Sequence, residues 1–143
     1  MRTLAPAIGR LVGNWFATGT NGYGGLVQST YWRGHFSLAP DLYDPTRDIA
    51  SFGDLGGREG QFALRLGPPR PDEVEVATGP VRYELVAWEY AGPDGVRWNR
   101  ESLVRGPRVV EQGAVRGCLL VEMLEARRMR AQPFVGQIGR AHV

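Results

Sequence analysis

The sequence predicts a single, mainly β domain, an antiparallel β-barrel or barrel-like sandwich with short terminal helices. Three observations predict it. The 20 glycines and 10 prolines are spread along the 143 residues as punctuation rather than gathered into a linker, as turns between strands require. The runs between them are short and alternate apolar with polar residues, the period of a half-buried strand. About eight such segments would leave unpaired edges unless the sheet closes on itself or packs on another.

Each element can be justified in chain order. Residues 3–11 read as a short helix or a cap. Residues 12–19 form a first strand, ended by the turn signal Thr20-Asn21-Gly22. Residues 26–38 read as a long strand with Leu26, Thr30, Trp32, Phe36 and Leu38 on one face and Ser29, Tyr31, Arg33, His35 and Ser37 on the other. Residues 39–47 are a loop rich in prolines and turn formers, and Asp41, Asp44 and Asp48 read as turn and cap residues. Short strands follow at residues 49–52 and 61–66, separated by Gly56-Gly57-Arg58-Glu59-Gly60.

Pro68-Pro69-Arg70-Pro71-Asp72 is a stiff exposed connection, and residues 73–77 alternate again through Val74 and Val76. Residues 81–91 and 96–104 flank Gly92-Pro93-Asp94-Gly95, the strongest hairpin signal in the chain. On the first arm Arg82, Glu84, Val86, Trp88 and Tyr90 share one face, and Val81, Tyr83, Leu85 and Ala87 the other. Residues 118–132 admit both readings, and the helix is favoured because no β-branched residue follows Val121.

The last six residues, Ile138-Gly139-Arg140-Ala141-His142-Val143, equal the translation of a common sequencing adapter, AGATCGGAAGAGCACACGTCTGA, in its third frame and up to its stop. Residues 138–143 are therefore expected to be adapter read-through. The single β-barrel-like domain is then residues 1–137, truncated at its C-terminus, and His142 carries no chemistry.

Composition excludes several classes. With 43% hydrophobic and 22% charged residues the chain can build a core and is not a disordered one. No apolar run approaches the roughly 20 residues of a membrane span, and the start does not read as a secretory signal, so a cytoplasmic protein without a membrane partner is the default. One cysteine, Cys118, excludes an internal disulfide and every multi-cysteine metal site. Neither His-x-His nor His-Glu-x-x-His is present. The net charge of +2 is too small to argue for a nucleic-acid partner on its own, and none is expected; all 17 basic residues are arginines, as GC-rich coding favours. Six of them fall in residues 105–130 (Arg105, Arg108, Arg116, Arg127, Arg128, Arg130).

Leu11-Val12-Gly13-Asn14-Trp15-Phe16-Ala17-Thr18 resembles the glycine-x-tryptophan signature of the lipocalins and the wider calycin group. The resemblance covers about 15 residues, and the later acidic-tyrosine motif of the lipocalins has no counterpart. It implies a closed antiparallel barrel whose tryptophan plugs one end beside the glycine. The stretch Thr18-Gly19-Thr20-Asn21-Gly22-Tyr23-Gly24-Gly25 is similar to that of nitrobindin-type haem barrels, which would require a late histidine on the iron. His142 is the only late histidine, so no cofactor and no metal are expected.

The functional expectation is a small hydrophobic or aromatic ligand held in a barrel cavity. Trp15, Tyr23, Trp32, Trp88 and Trp98 are the candidate ligand-binding residues. Metal-free isomerisation or cyclisation of that ligand would draw on Tyr31, His35 and Glu84 as polarising or proton-transferring groups. Two alternatives stay open. One is a structural or assembly subunit, a homo-oligomer or multisubunit component that uses its aromatic strands as an interface. The other is an arginine-rich nucleic-acid-binding module.

Overall fold

The computed structural model describes residues 9–16, 35–55, 58–92 and 106–135. They form one seven-stranded sheet, antiparallel throughout, in which spatial neighbours are sequence neighbours. The strands are β1 (Gly13–Phe16), β2 (His35–Pro40), β3 (Asp48–Leu55), β4 (Arg58–Leu64), β5 (Val81–Ala91), β6 (Arg108–Glu125) and β7 (Arg128–Val135). The sheet curls into a half-barrel.

Alternation along each strand produces the curl's inner face. Trp15, Phe36 and Phe52 stand in register across β1, β2 and β3, and Leu64, Leu85, Gly117 and Val135 across β4 to β7. With Leu38, Ala50, Val81, Tyr83, Leu119, Val121 and Met123 they converge on one core. A flat sheet could not bring side chains from its first and last strands into one cluster. The segment before β1 confirms the approach of the two ends, because Gly9 N–H donates to Ala126 O at the β6–β7 turn, 3.3 Å away. The 3₁₀ turn Pro71–Glu73 and the residue after it hold that segment, since Val12 N–H donates to Pro71 O and Leu11 N–H to Val74 O; a second 3₁₀ turn, Val76–Thr78, follows. Leu11 and Val74, both fully buried, stopper this part of the core.

Two glycines are required by close approach. A Cβ on Gly117 would lie 2.3 Å from the carbonyl oxygen of Phe134 on β7, and one on Gly60 would lie 2.6 Å from the Phe62 ring. Gly60 also has φ +155°, and its lack of a side chain lets the rings of Phe62 and Phe52 stack at 5.9 Å.

Several expectations need correcting. Residues 118–132 belong to β6 and β7, joined by a turn at Ala126 and Arg127, and not to a helix. Leu119, Val121 and Met123 alternate inward while β6 is paired on both sides, and this pairing overrides a helical propensity of a few tenths of a kcal/mol per residue. Residues 73–77 are not a strand: Glu73 ends one 3₁₀ turn, Val76 and Ala77 begin the other, and Val74 and Glu75 link them. The helical elements among the described residues are those same turns; of the short helix or cap expected at residues 3–11, residues 3–8 lie outside the described residues. The partner of β5 is Arg108–Val121, and residues 96–104 lie outside the described residues. β5 itself has the bounds expected, and β2 carries the C-terminal part of the expected 26–38 strand.

One irregularity shapes the outer face. β5 alternates without interruption, but β6 skips residues opposite Leu85, Val86 and Ala87, and Gly113 there has φ +76°. Bulges of this kind bend a hairpin sharply. Leu64 pairs with Leu85 and Val109 with Tyr90, well apart along β5, yet the guanidinium of Arg47 reaches the carbonyls of both. The far half of the β5–β6 hairpin therefore folds back over the outside of β3 and β4. It forms a second core there, in which Ile49, Ala63, Val86 and Val109 are buried beneath Trp88, Tyr90 and Val115.

Candidate functional site

The outer face is ordered in rows. Ala39, Ile49, Ala63, Val86 and Val115 run in register across β2 to β6 and form an apolar row. The adjacent row, Asn14, Ser37, Ser51 and Gln61, is polar and crosses β1 to β4. The folded-back hairpin covers the first row and leaves the second open.

The loop between β2 and β3 walls the other side. Its carboxylates fold it by local bonds, as short acidic side chains do in turns. Asp41 N–H donates to Arg47 O at 2.8 Å, closing the loop. Asp41 Oδ2 accepts the N–H groups of Tyr43 and Asp44 at 3.0 and 2.9 Å. Asp44 accepts the Thr46 hydroxyl at 2.6 Å and, from across the molecule, Val109 N–H at 2.9 Å. Arg47 is buried and donates to Leu64 O, Val109 O and the Glu111 carboxylate, the last at 2.8 Å. Loop, sheet and hairpin are thereby locked together.

Between them lies a cleft of about 410 Å³. Its floor is Ser37, Ala39, Ile49, Ser51 and Gln61, and its walls are Pro40, Asp41 and Leu42 on one side and Trp88 and Tyr90 on the other. The Trp88 and Tyr90 rings meet edge to face, 4.9 Å between centroids at 88°, and Tyr90 meets Tyr43 in the same way at 5.5 Å and 85°. Tyr90 Oη donates to Asp41 Oδ1 at 2.6 Å. Burial, that bond and the negative charges of Asp41 and Asp44 push the Tyr90 phenol well above its ordinary pKa. Burial would raise Asp44, but the bonds from Thr46 and Val109 together with the Arg47 charge outweigh it and hold its carboxyl below the usual value. The site is thus an aromatic corner beside a fixed carboxylate, above a hydroxyl- and amide-bearing floor.

A second cleft, of about 290 Å³, contains Asp48, Arg70 and Tyr83. Its polar groups are engaged in holding the fold: Arg70 donates twice to Asp48, at 2.8 and 3.1 Å, and Tyr83 Oη donates to Pro69 O at 2.6 Å.

Of the residues singled out from sequence, Trp88 lines the first cleft. Trp15 is half-buried against the inner core and its Nε1–H donates to Leu11 O at 2.9 Å, with Gly13 beside the indole. His35 opens β2 on the outer face, where its Nε2 lies 3.3 Å from Asn14 Oδ1 and its ring packs on Phe16. Burial lowers its pKa. Glu84 is also on the outer face and pairs with Arg65 at 3.5 Å. Tyr23, Tyr31, Trp32 and Trp98 lie outside the described residues. Sequence reasoning missed Asp41, Ser37, Ser51 and Gln61 as site residues. Asp41 was legible as a turn former, which it is, but its bond to Tyr90 crosses 49 positions.

Among the described residues, no three His, Cys, Asp or Glu side chains are grouped so as to hold a metal ion, and no helix is long and apolar enough to cross a membrane. Compared with family models, with curated proteins and with solved structures, the chain matches none.

Proposed function

We propose that this protein is a binding module for a small planar molecule, held in the outer-face cleft between the β2–β3 loop and the folded-back hairpin. The observation that carries the proposal is the aromatic corner of Trp88 and Tyr90 standing over the Ser37–Ser51–Gln61 row. Concave sites with apolar walls and a few fixed polar groups are the usual form of small-molecule sites. The locking of the loop by Asp41, Asp44 and Arg47 adds preorganisation, which lowers the entropic cost of binding.

The outer cleft is favoured over the barrel interior because, among the described residues, side chains from every strand pack together on the concave face. The half-barrel is compatible with the barrel fold that the Gly13-x-Trp15 resemblance to lipocalins and calycins implies, and Trp15 packs against the inner core. Binding is better supported than isomerisation, because Glu84 is engaged by Arg65 and His35 lies beside Asn14.

Ligand-observed NMR with a set of soluble aromatic fragments tests the proposal. Fragments should bind the wild-type protein and lose binding in Trp88→Ala and in the cleft-filling variant Ser51→Gln. Binding undiminished in both folded variants would refute it.

A further inference from the structure

We infer that the ligand of this cleft is an organic cation, a small molecule with an ammonium group on a planar body; the inference rests on the binding proposal above and specifies its chemistry.

The geometry supplies two kinds of attraction for positive charge. Trp88 and Tyr90 meet at 88°, so a group in their corner faces the electron-rich surface of a ring, and ring faces attract ammonium groups. The Asp41 carboxylate stands in the same lining while only 7% exposed. Two backbone N–H groups and the Tyr90 hydroxyl fix its orientation, so it pays no ordering entropy when a ligand arrives.

Among the described residues, those that line the cleft include no arginine, lysine or histidine. Arg47, in the same loop, directs its guanidinium to Leu64 O, Val109 O and Glu111 instead. An anion placed here would meet the Asp41 carboxylate, so the charge that attracts a cation repels it.

Isothermal titration with benzylammonium and with its neutral analogue, benzyl alcohol, tests the inference. Benzylammonium should bind about tenfold more tightly than the alcohol. Its affinity should weaken as salt is raised, while that of the alcohol stays level. In Asp41→Asn the cation should lose most of its advantage over the alcohol, and the salt series on the wild-type protein decides the matter if that variant does not fold. Equal, salt-independent binding of both probes overturns the cation inference and leaves the small-molecule site standing. Binding of neither overturns both.

Discussion

Tyr90 and Asp41 are joined by a 2.6 Å hydrogen bond from the phenol of β5 to a carboxylate that folds the β2–β3 loop. One bond thus fixes a ligand-facing ring, a charge and a loop at once. Tyr90→Phe should cost about 1–2 kcal/mol in urea unfolding. Asp41→Ala should cost more, because it also releases the N–H groups of Tyr43 and Asp44. The double variant should lose about 1 kcal/mol less than the sum; strict additivity would show that the bond carries no coupling.

Arg47 should prove the most sensitive residue of the loop. Its side chain is 8% exposed and its guanidinium ties β4, β6 and Glu111 together. Arg47→Met should lose about 3 kcal/mol or more, since it strands buried carbonyls and a carboxylate. Arg47→Lys keeps the charge without the fork and should lose less. Chemical denaturation of the two variants checks the order.

Gly117 tests the register of β6 on β7. An added Cβ would lie 2.3 Å from Phe134 O, and backbone cannot yield as a flexible side chain can. Gly117→Ala should destabilise the protein by roughly 1–3 kcal/mol, read as a lowered melting temperature. A neutral result would show that β7 is not paired there.

The shifted groups give stability a pH dependence with a definite sign. Asp44 holds its proton less tightly folded than unfolded, so its contribution is present above about pH 4 and is lost as the pH falls through its lowered folded value. The Tyr90 and Tyr83 phenols are raised, Tyr83 chiefly by burial and then by the charges of Asp48, Glu73 and Asp72. Their unfolded forms ionise first, so their contribution is complete below about pH 10 and declines above it. Denaturation midpoints against pH should flatten on the acid side in Asp44→Asn and on the alkaline side in Tyr90→Phe.

Period-two patterning made much of the fold legible. Val81, Tyr83 and Leu85 face the inner core and Val86, Trp88 and Tyr90 the outer one, as their alternation predicts. The lower part of β6 is not legible as strand, because Leu119, Val121 and Met123 sit among glutamates and arginines that favour helix in isolation; the two neighbouring strands decide otherwise. Val74 and Val76 suggested a strand, but Pro71 starts a 3₁₀ turn that buries Val74 and leaves Val76 exposed. The site was legible only in pieces. Trp88 and Asp41 each stood out, one as an aromatic on a strand and the other as a turn former. Their meeting depends on bulges in a partner strand and on Arg47 contacts distant in sequence, and local pattern encodes neither.

The most direct test of the outer-face site is an amide and indole chemical-shift map of the 15N-labelled protein titrated with benzylammonium. The indole Nε1–H of Trp88 and the amides of Ser51, Gln61 and Tyr90 should move together and saturate with one affinity. Shifts centred on Phe36, Phe52 and Leu85 would place the ligand inside the curl and contradict the account.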